Sequence, residues 1–174
     1  MLRFRCRVDI STIPNAGKGL FADELIPKGS ILGFPDNIQQ VYSREQLLAL
    51  PSDSPEFQTS VRWFEDCYAA DPDYSDAYYI NHSFEPNCLW HLGFVFARED
   101  ILAGVEITLD YRVLMDNDPE FGFMDETTGK MICGFAWEEK MIFNSQQLLI
   151  LFKDLTNNPP HPPKGTDLFE PLAK

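Results

Sequence analysis

Seven residues near the middle of the chain combine side chains that can hold a polar ligand with residues that turn the backbone. The segment, Asn81 to Asn87, reads NHSFEPN and directly follows an apolar stretch that ends at Ile80. An amide, an imidazole and a hydroxyl stand in its first three positions, and each can donate and accept hydrogen bonds. Taken singly they have ordinary explanations, because a lone histidine such as His82 is more often a hydrogen-bonded core residue, and Pro-Asn is a common turn. A solvated loop, however, does not require this combination.

Two further segments could contact a ligand. Gly17-Lys18-Gly19 is a two-glycine turn, and glycine lets a ligand approach the backbone closely. Such turns more often shape a hairpin, and this one lacks the third glycine and the strand-to-helix setting of a dinucleotide site. Tyr111 ends an alternating segment, where a tyrosine is normally a core residue with a hydrogen-bonded hydroxyl. No nucleophile has an adjacent base at a recognisable spacing, so there is no hydrolase signature.

The cysteines predict neither a zinc site nor a disulfide framework. The chain has four, all widely separated: Cys6, Cys67, Cys88 and Cys133. None forms a CxxC pair or a cysteine-histidine spacing typical of zinc. We therefore expect free thiols in a reducing compartment and no bound metal.

Length and charge limit the class of protein. The 174 residues suffice for one domain with a hydrophobic core, and 14 basic against 27 acidic residues give a net charge of −13. A nucleic-acid-binding face needs the opposite sign, so direct nucleic-acid binding is not expected. Two interpretations of the acidic clusters stay open, a merely soluble surface or a field that attracts a cationic partner. No apolar run is long enough to span a bilayer, and the first ten residues carry no secretion signal, so we expect an intracellular protein without membrane contact.

The elements that position the candidate residues are predicted to be short. Residues 8–32 alternate between apolar runs and turns, which predicts small strands. Ser43 and Gln46 fit a capping box at a helix start. Residues 57–68 could form a short helix or a strand. Residues 89–98 predict one mostly buried strand.

The second half of the chain predicts a strand and a long helix. After a turn at Ala103-Gly104, alternation places one set of side chains on one face (Val105, Ile107, Leu109, Tyr111) and another set on the other (Glu106, Thr108, Asp110). A helix is predicted from Glu138 to about Leu155, with Met141, Ser145, Leu148, Leu149 and Phe152 on one face. The prolines at 159–163 should be extended. These elements predict a mixed, mainly β (α+β) domain.

Taken together and in order, three segments resemble the SET-domain family. They are GKGLFA from Gly17, INHSFEPN from Ile80, and FAREDILAGVEITLDY, which ends at Tyr111. The resemblance spans about residues 7–111. Most members of this family are S-adenosylmethionine-dependent protein-lysine methyltransferases.

The resemblance implies a fold of several small β-sheets in which the Asn-His-Ser and Asp-Tyr segments cross in a knot-like arrangement. It implies a SET domain over residues 1–130, followed by a C-terminal helical extension and proline-rich tail over 131–174. It also implies that Gly17, Lys18, Gly19, Asn81 and His82 bind S-adenosylmethionine and that Tyr111 is catalytic. The substrate would be a basic, lysine-containing protein or peptide. The alternative is a non-catalytic SET-fold module that binds a basic protein partner.

The sequence departs from the family pattern in four places. Val105 replaces a glutamate, and Tyr78 stands where many relatives have arginine. Leu109 stands where many have an aromatic residue, which predicts a roomy, apolar substrate channel. The cysteine-rich zinc lobe that covers the active site in many relatives is missing. We expect Phe135 and Trp137, ahead of the C-terminal helix, to pack over the core and line the channel instead, although both could be ordinary core contacts.

Overall fold

The computed structural model describes residues 1–35 and 40–159. Within that part, short strands pair into five small sheets, and the one long helix lies at the C-terminal end. The helices are α1 (Arg44–Leu48), α2 (Pro55–Gln58) and α3 (Trp137–Asn157). The strands are β1 (Cys6–Ile10), β2 (Lys18–Ala22), β3 (Ile31–Gly33), β4 (Gln40–Ser43), β5 (Val61–Phe64), β6 (Cys67–Ala70), β7 (Asn81–His82), β8 (Cys88–His91), β9 (Phe94–Ala97), β10 (Thr108–Leu109), β11 (Phe123–Met124) and β12 (Met131–Ile132). The prediction of a mainly β, α+β fold is confirmed.

The main core lies between the N-terminal hairpin and the sheet ordered β3-β9-β8. Strands β1 and β2 pair antiparallel, and β2 buries Leu20, Phe21 and Ala22. Their apolar side chains pack with residues of β8, β9 and the segment around Ile107. The hairpin thereby holds the loop that joins β1 to β2 against the centre of the molecule.

Residues 89–98 do not form the single strand that their apolar pattern predicts. They form a tight antiparallel hairpin in which Cys88 pairs with Ala97 and His91 with Phe94. The turn is Leu92-Gly93, and both residues have positive φ, 50° and 91°. A leucine in this conformation is uncommon for steric reasons. It is therefore not a turn signal that sequence reasoning recognises.

A second sheet, ordered β4-β6-β5, lies beside the first two helices. The capping box at Ser43 is confirmed, with reciprocal hydrogen bonds between Ser43 and Gln46. Residues 57–68, predicted as a short helix or a strand, contain parts of both. The helix α2 ends at Gln58, and a β-hairpin follows from Val61.

Two distant segments meet in a parallel pair. Strand β7 lies beside β10, with Asn81 opposite Thr108 and His82 opposite Leu109. Asn87 ties the same segments together, because its amide donates to the Glu106 carbonyl at 2.8 Å and accepts from the Thr108 N–H at 2.9 Å. This pairing brings the Asn-His segment to the Asp-Tyr segment.

The C-terminal helix is predicted nearly to its ends, but the predicted face is wrong. The buried side chains of α3 are Lys140, Asn144 and Leu151, whereas Leu149 and Phe152 are exposed. The reason is Lys140, whose amine donates to the Arg62 carbonyl at 2.7 Å and lies over the Trp90 ring. A buried lysine is not an apolar signal, so a pattern based on hydrophobic residues selects another face.

Residues 160–174 lie outside the described part of the chain. The extended proline segment, and the packing of the tail on the core, therefore stay predictions, as does the domain boundary at 130. Among the described residues, no helix has the length and apolar character needed to cross a membrane.

Candidate active site

The side chains of Asn81 and Glu106 meet at the end of the β1–β2 hairpin. The Asn81 amide nitrogen donates to Glu106 Oε1 and to the Lys18 carbonyl, both at 2.9 Å. Glu106 is only 7% exposed and also accepts hydrogen bonds from Ser11 and Thr12. Burial alone would raise the pKa of Glu106, but these hydrogen bonds outweigh it and hold the pKa below its usual value. The carboxylate is therefore ionised at neutral pH.

Glycine suits the two positions of the predicted cofactor turn for different physical reasons. At Gly19 a β-carbon would overlap the Glu106 carboxylate, so any side chain there would displace Glu106. Gly17 has φ of +73°, and a β-carbon there would meet no atom within 4 Å. The space over Gly17 is open, so a ligand can reach this backbone closely. Lys18, between them, places its amine 5.7 Å from the centre of the Tyr79 ring.

His82 is a neutral imidazole with one nitrogen occupied. Its Nδ1 accepts the Tyr111 backbone N–H at 3.0 Å, which leaves the proton on Nε2. Burial lowers the pKa of His82, and the carboxylate of Asp110 is already paired with Arg112 at 2.6 Å. Nε2 is buried and has no hydrogen-bond partner within the described residues. A buried donor of this kind is costly unless a ligand or water satisfies it.

Tyr111 is fixed at two points. Its N–H is held by His82, and its hydroxyl donates to the Ile80 carbonyl at 2.8 Å. Burial raises the pKa of the hydroxyl to about 12, so the phenol keeps its proton across the physiological range. Because Ile80 and His82 flank Asn81 in the chain, these two contacts bring the tyrosine against the polar cluster.

Tyr111 also lies on the wall of a mainly apolar cavity of about 370 Å³. Tyr111 and Leu109 line it together with Tyr78, Trp63 and Trp90. None of the five predicted cofactor residues lines it: Gly17, Lys18, Gly19, Asn81 and His82. The predicted residues thus fall into two groups, and Tyr111 is common to both. Leu109 lies on the cavity wall, and its role in a substrate channel stays a prediction.

Phe135 and Trp137 do not lie on the wall of this cavity. Phe135 stacks against Phe143 of α3 and under the Arg112 guanidinium, and Trp137 lies over the Lys140 amine. These are the ordinary packing contacts that the sequence left open as an alternative. Leu114, Met115 and Trp63 line the cavity where these two were expected.

The hairpin β11–β12, which has no assigned role in the sequence, lies beside the polar cluster. Strands β11 and β12 pair antiparallel. From the turn that joins them, the Glu126 carboxylate accepts from the Asn15 amide at 2.5 Å, next to the glycine turn. The Lys130 amine lies 5.2 Å from the centre of the Phe84 ring, which itself packs on His82. The hairpin therefore covers the side of the cluster where His82 lies.

Sequence reasoning missed Glu106, Ser11 and Thr12. Alternation places Glu106 on the opposite face of the strand from Leu109, which resembles a solvent-facing position. In the fold both faces are covered, because Ser11 and Thr12 arrive from the β1–β2 loop. The available signal was that Gly19, a strand position without a side chain, marks a close approach by another group.

Comparison with known proteins agrees with this geometry. A family model described as SET domain matches residues 17–112, which is more than half of the chain. The match contains the glycine turn, the Asn-His segment and Tyr111. A comparison with curated proteins found no match. Members of the matching family are generally protein-lysine methyltransferases, and by the extent of the match this chain belongs to the SET-domain family.

Proposed function

We propose that this protein transfers a methyl group from S-adenosylmethionine to a lysine side chain of a protein substrate. The observation that carries the proposal is the position of Tyr111. It is held by His82 and Ile80 beside the polar cluster, and it lines the apolar cavity. A methyl transfer needs the donor methyl group and the acceptor amine held close together and in line, and a residue that borders both sites is placed to do this.

The polar cluster fits the cofactor. The open space over Gly17 allows close approach to the backbone, and the buried Nε2 of His82 needs an acceptor. Asn81 Oδ1 receives no hydrogen bond from the described part of the chain and can accept one from the amino group of a ligand. Gly17, Lys18, Gly19, Asn81 and His82 would hold the cofactor. When bound, S-adenosylmethionine supplies an electrophilic methyl group on a sulfonium.

The cavity fits a lysine side chain. Its wall combines Leu109 and Trp90 with two tyrosines, and side chains of this kind can pack against the aliphatic stem of a lysine. Low polarity lowers the pKa of an amine, and the nucleophile in this reaction is the neutral amine. Because its pKa is raised to about 12, Tyr111 does not act as the base. Its hydroxyl oxygen orients the amine, and the proton leaves to solvent.

The test is methyl transfer by the purified chain. Peptide arrays with single lysines flanked by basic residues, incubated with S-adenosylmethionine, should gain methyl groups detectable by mass spectrometry. Calorimetry should show one cofactor per chain. If the chain binds basic peptides but neither cofactor nor methyl transfer is detected, the protein is a non-catalytic binding module and the proposal fails.

A further inference from the structure

Glu106 lies at the centre of the polar cluster but has no cationic partner among the described residues. The groups that donate hydrogen bonds to its carboxylate are neutral: the amide of Asn81, the hydroxyl of Ser11, and the hydroxyl and backbone N–H of Thr12. A buried charge is costly, and four hydrogen bonds from neutral groups make this one tolerable. A purely structural role could be filled by a neutral group, so the retained charge suggests a further use.

The contacts fix which way the Asn81 amide faces. Glu106 Oε1 and the Lys18 carbonyl accept hydrogen bonds and cannot donate them, so the atom between them must be the amide nitrogen. The oxygen Oδ1 is then turned away from the carboxylate. Without Glu106 one of these two constraints would be lost, and the amide could rotate to present its nitrogen to a ligand.

We propose that Glu106 is a positioning residue that sets the Asn81 amide so that its oxygen receives the amino group of the cofactor's amino-acid end. This inference rests on the proposed function. The carboxylate also contributes electrostatically, because a fixed negative charge in a site of low polarity favours a cationic ligand. S-adenosylmethionine carries two positive charges near its amino-acid end, the ammonium and the sulfonium. Glu106 thus acts on the ligand through Asn81 and at a distance, without contact.

The site is rigid enough for such a role. Gly19 leaves room for the carboxylate where any side chain would displace it. Thr12 holds Oε2 through both its hydroxyl and its N–H, while Ser11 and Asn81 share Oε1. The backbone carbonyl of Glu106 accepts a hydrogen bond from the Asn87 amide. The carboxylate is therefore fixed by the β1–β2 loop, by Asn81 and by its own backbone.

The test compares two ligands that differ only at the amino-acid end. S-adenosylhomocysteine carries the amino acid, and 5′-methylthioadenosine lacks it. In Glu106→Gln one acceptor oxygen becomes a donor, so we expect the affinity for S-adenosylhomocysteine to fall about tenfold or more, as for the loss of a buried hydrogen bond to a charged group. The affinity for 5′-methylthioadenosine should change less than threefold. Glu45→Gln removes the same charge at an exposed position and should alter neither ligand.

Two further measurements separate the possible outcomes. Glu106→Asp keeps the charge but withdraws it from Asn81, so it should lose the same ligand preference if position matters. In the unmodified chain, the Asn81 side-chain amide protons should exchange with water at least tenfold more slowly than those of exposed Asn157, a result that needs no variant to fold. Equal loss of both ligands, an unchanged preference in Glu106→Gln, or fast exchange at Asn81 would overturn the proposal. If the unmodified chain binds neither ligand, the proposed function itself fails.

Discussion

The hydroxyl of Tyr111 is where the polar cluster and the apolar cavity meet, so its removal is the most direct test of catalysis. In Tyr111→Phe the ring stays and the hydrogen bond to Ile80 is lost, which should cost about 1–2 kcal/mol of unfolding free energy. Methyl transfer should fall about 10²-fold or more, because an orienting group is removed from the transition state. Single-turnover kinetics and thermal melts would measure the two effects. Tyr68→Phe is the matched control, because it also loses the hydrogen bond of a tyrosine hydroxyl, the one to Asp116, but does not line the cavity; it should keep its activity. Full activity in Tyr111→Phe would contradict the assigned role.

Lys140 gives a second prediction at the scale of a residue, on stability and pH. Its amine is 1% exposed, and burial, together with the nearby Arg62 guanidinium, lowers its pKa to about 7. An unfolded lysine keeps its proton up to a pKa of about 10.4. Between these values the unfolded chain binds the extra proton, so the unfolding free energy should rise as the pH rises from 7 to 10.

Lys140→Met should remove this rise and stabilise the protein most below pH 7, by about 2–4 kcal/mol, because a charged buried amine is replaced by an apolar chain of similar length. Urea unfolding at pH 6, 8 and 10 measures both effects. Lys153→Met, on the exposed side of the same helix, should leave the slope unchanged. A flat pH profile in the unmodified protein would show that Lys140 does not titrate in this way.

The roles of single residues were predictable only where a motif carried them. The placement of Asn81, His82 and Tyr111 in one cluster follows from the family resemblance. Glu106 and Lys140 could not be found from the sequence, because their environments are made by residues 25 to 95 positions away for Glu106 and 78 for Lys140. Local periodicity reports which face of an element is apolar. It does not report which polar group a distant loop will cover.

Among the elements, local capping was predictable and tight hairpins were not. The helix start at Ser43 depends on side chains three residues apart, so the sequence contains the whole interaction. The hairpins at Glu65 and Leu92 depend on positive φ at residues that seldom adopt it. The register of the β7–β10 pair, only two residues long, depends on how two distant segments of the chain come together rather than on any strand signal.

The turn between β5 and β6 offers a test of this strain. Glu65 has φ of 44° and is exposed, so its side chain contributes little packing. Asparagine tolerates the left-handed region better than glutamate does, so Glu65→Asn should stabilise the protein by about 0.5–1 kcal/mol. Urea unfolding measures the change. Glu99→Asn is the matched control at an exposed glutamate without positive φ, and it should give no gain. Equal effects from the two substitutions would mean that lost charge, rather than relieved strain, is responsible.

For the whole molecule, the first question is whether this chain binds zinc, as many relatives do. Among residues 1–35 and 40–159, no group of three or more potential ligands is placed to hold a metal ion, and all four cysteines are free thiols. We therefore expect less than about 0.1 zinc per chain by elemental analysis, since a structural zinc site needs four ligands. Chelator treatment should leave the melting temperature unchanged. One equivalent of tightly held zinc would contradict this expectation.

Part of the negative charge of the molecule lies beside the cavity. The loop after β6 carries Asp71, Asp73 and Asp76, and two of its residues, Asp71 and Ser75, line the cavity. Asp73 and Asp76 are exposed. A negative rim at the mouth of an apolar cavity attracts a cationic peptide and repels an acidic one. Both interpretations of the acidic clusters stay predictions, and this loop is where the partner-attracting one can be tested.

If this rim guides the substrate, kcat/KM should fall as salt rises. Exposed charges are screened beyond about 8–10 Å near physiological ionic strength, and the Debye length falls from roughly 20 Å to roughly 6 Å between about 20 and 300 mM salt. A lysine peptide flanked by arginines should therefore lose efficiency steeply over this range. The same peptide with neutral flanks should lose little.

Two double variants locate the charges responsible. Asp73→Asn with Asp76→Asn should flatten the salt dependence for the basic peptide. Glu45→Gln with Glu99→Gln removes two exposed charges at residues that do not line the cavity, and it should leave most of the salt dependence unchanged. These two results together would show that the charges of this loop cause the salt dependence. Equal flattening in both double variants would assign it to the net charge of −13 instead, and a flat profile in the unmodified protein would remove the steering argument.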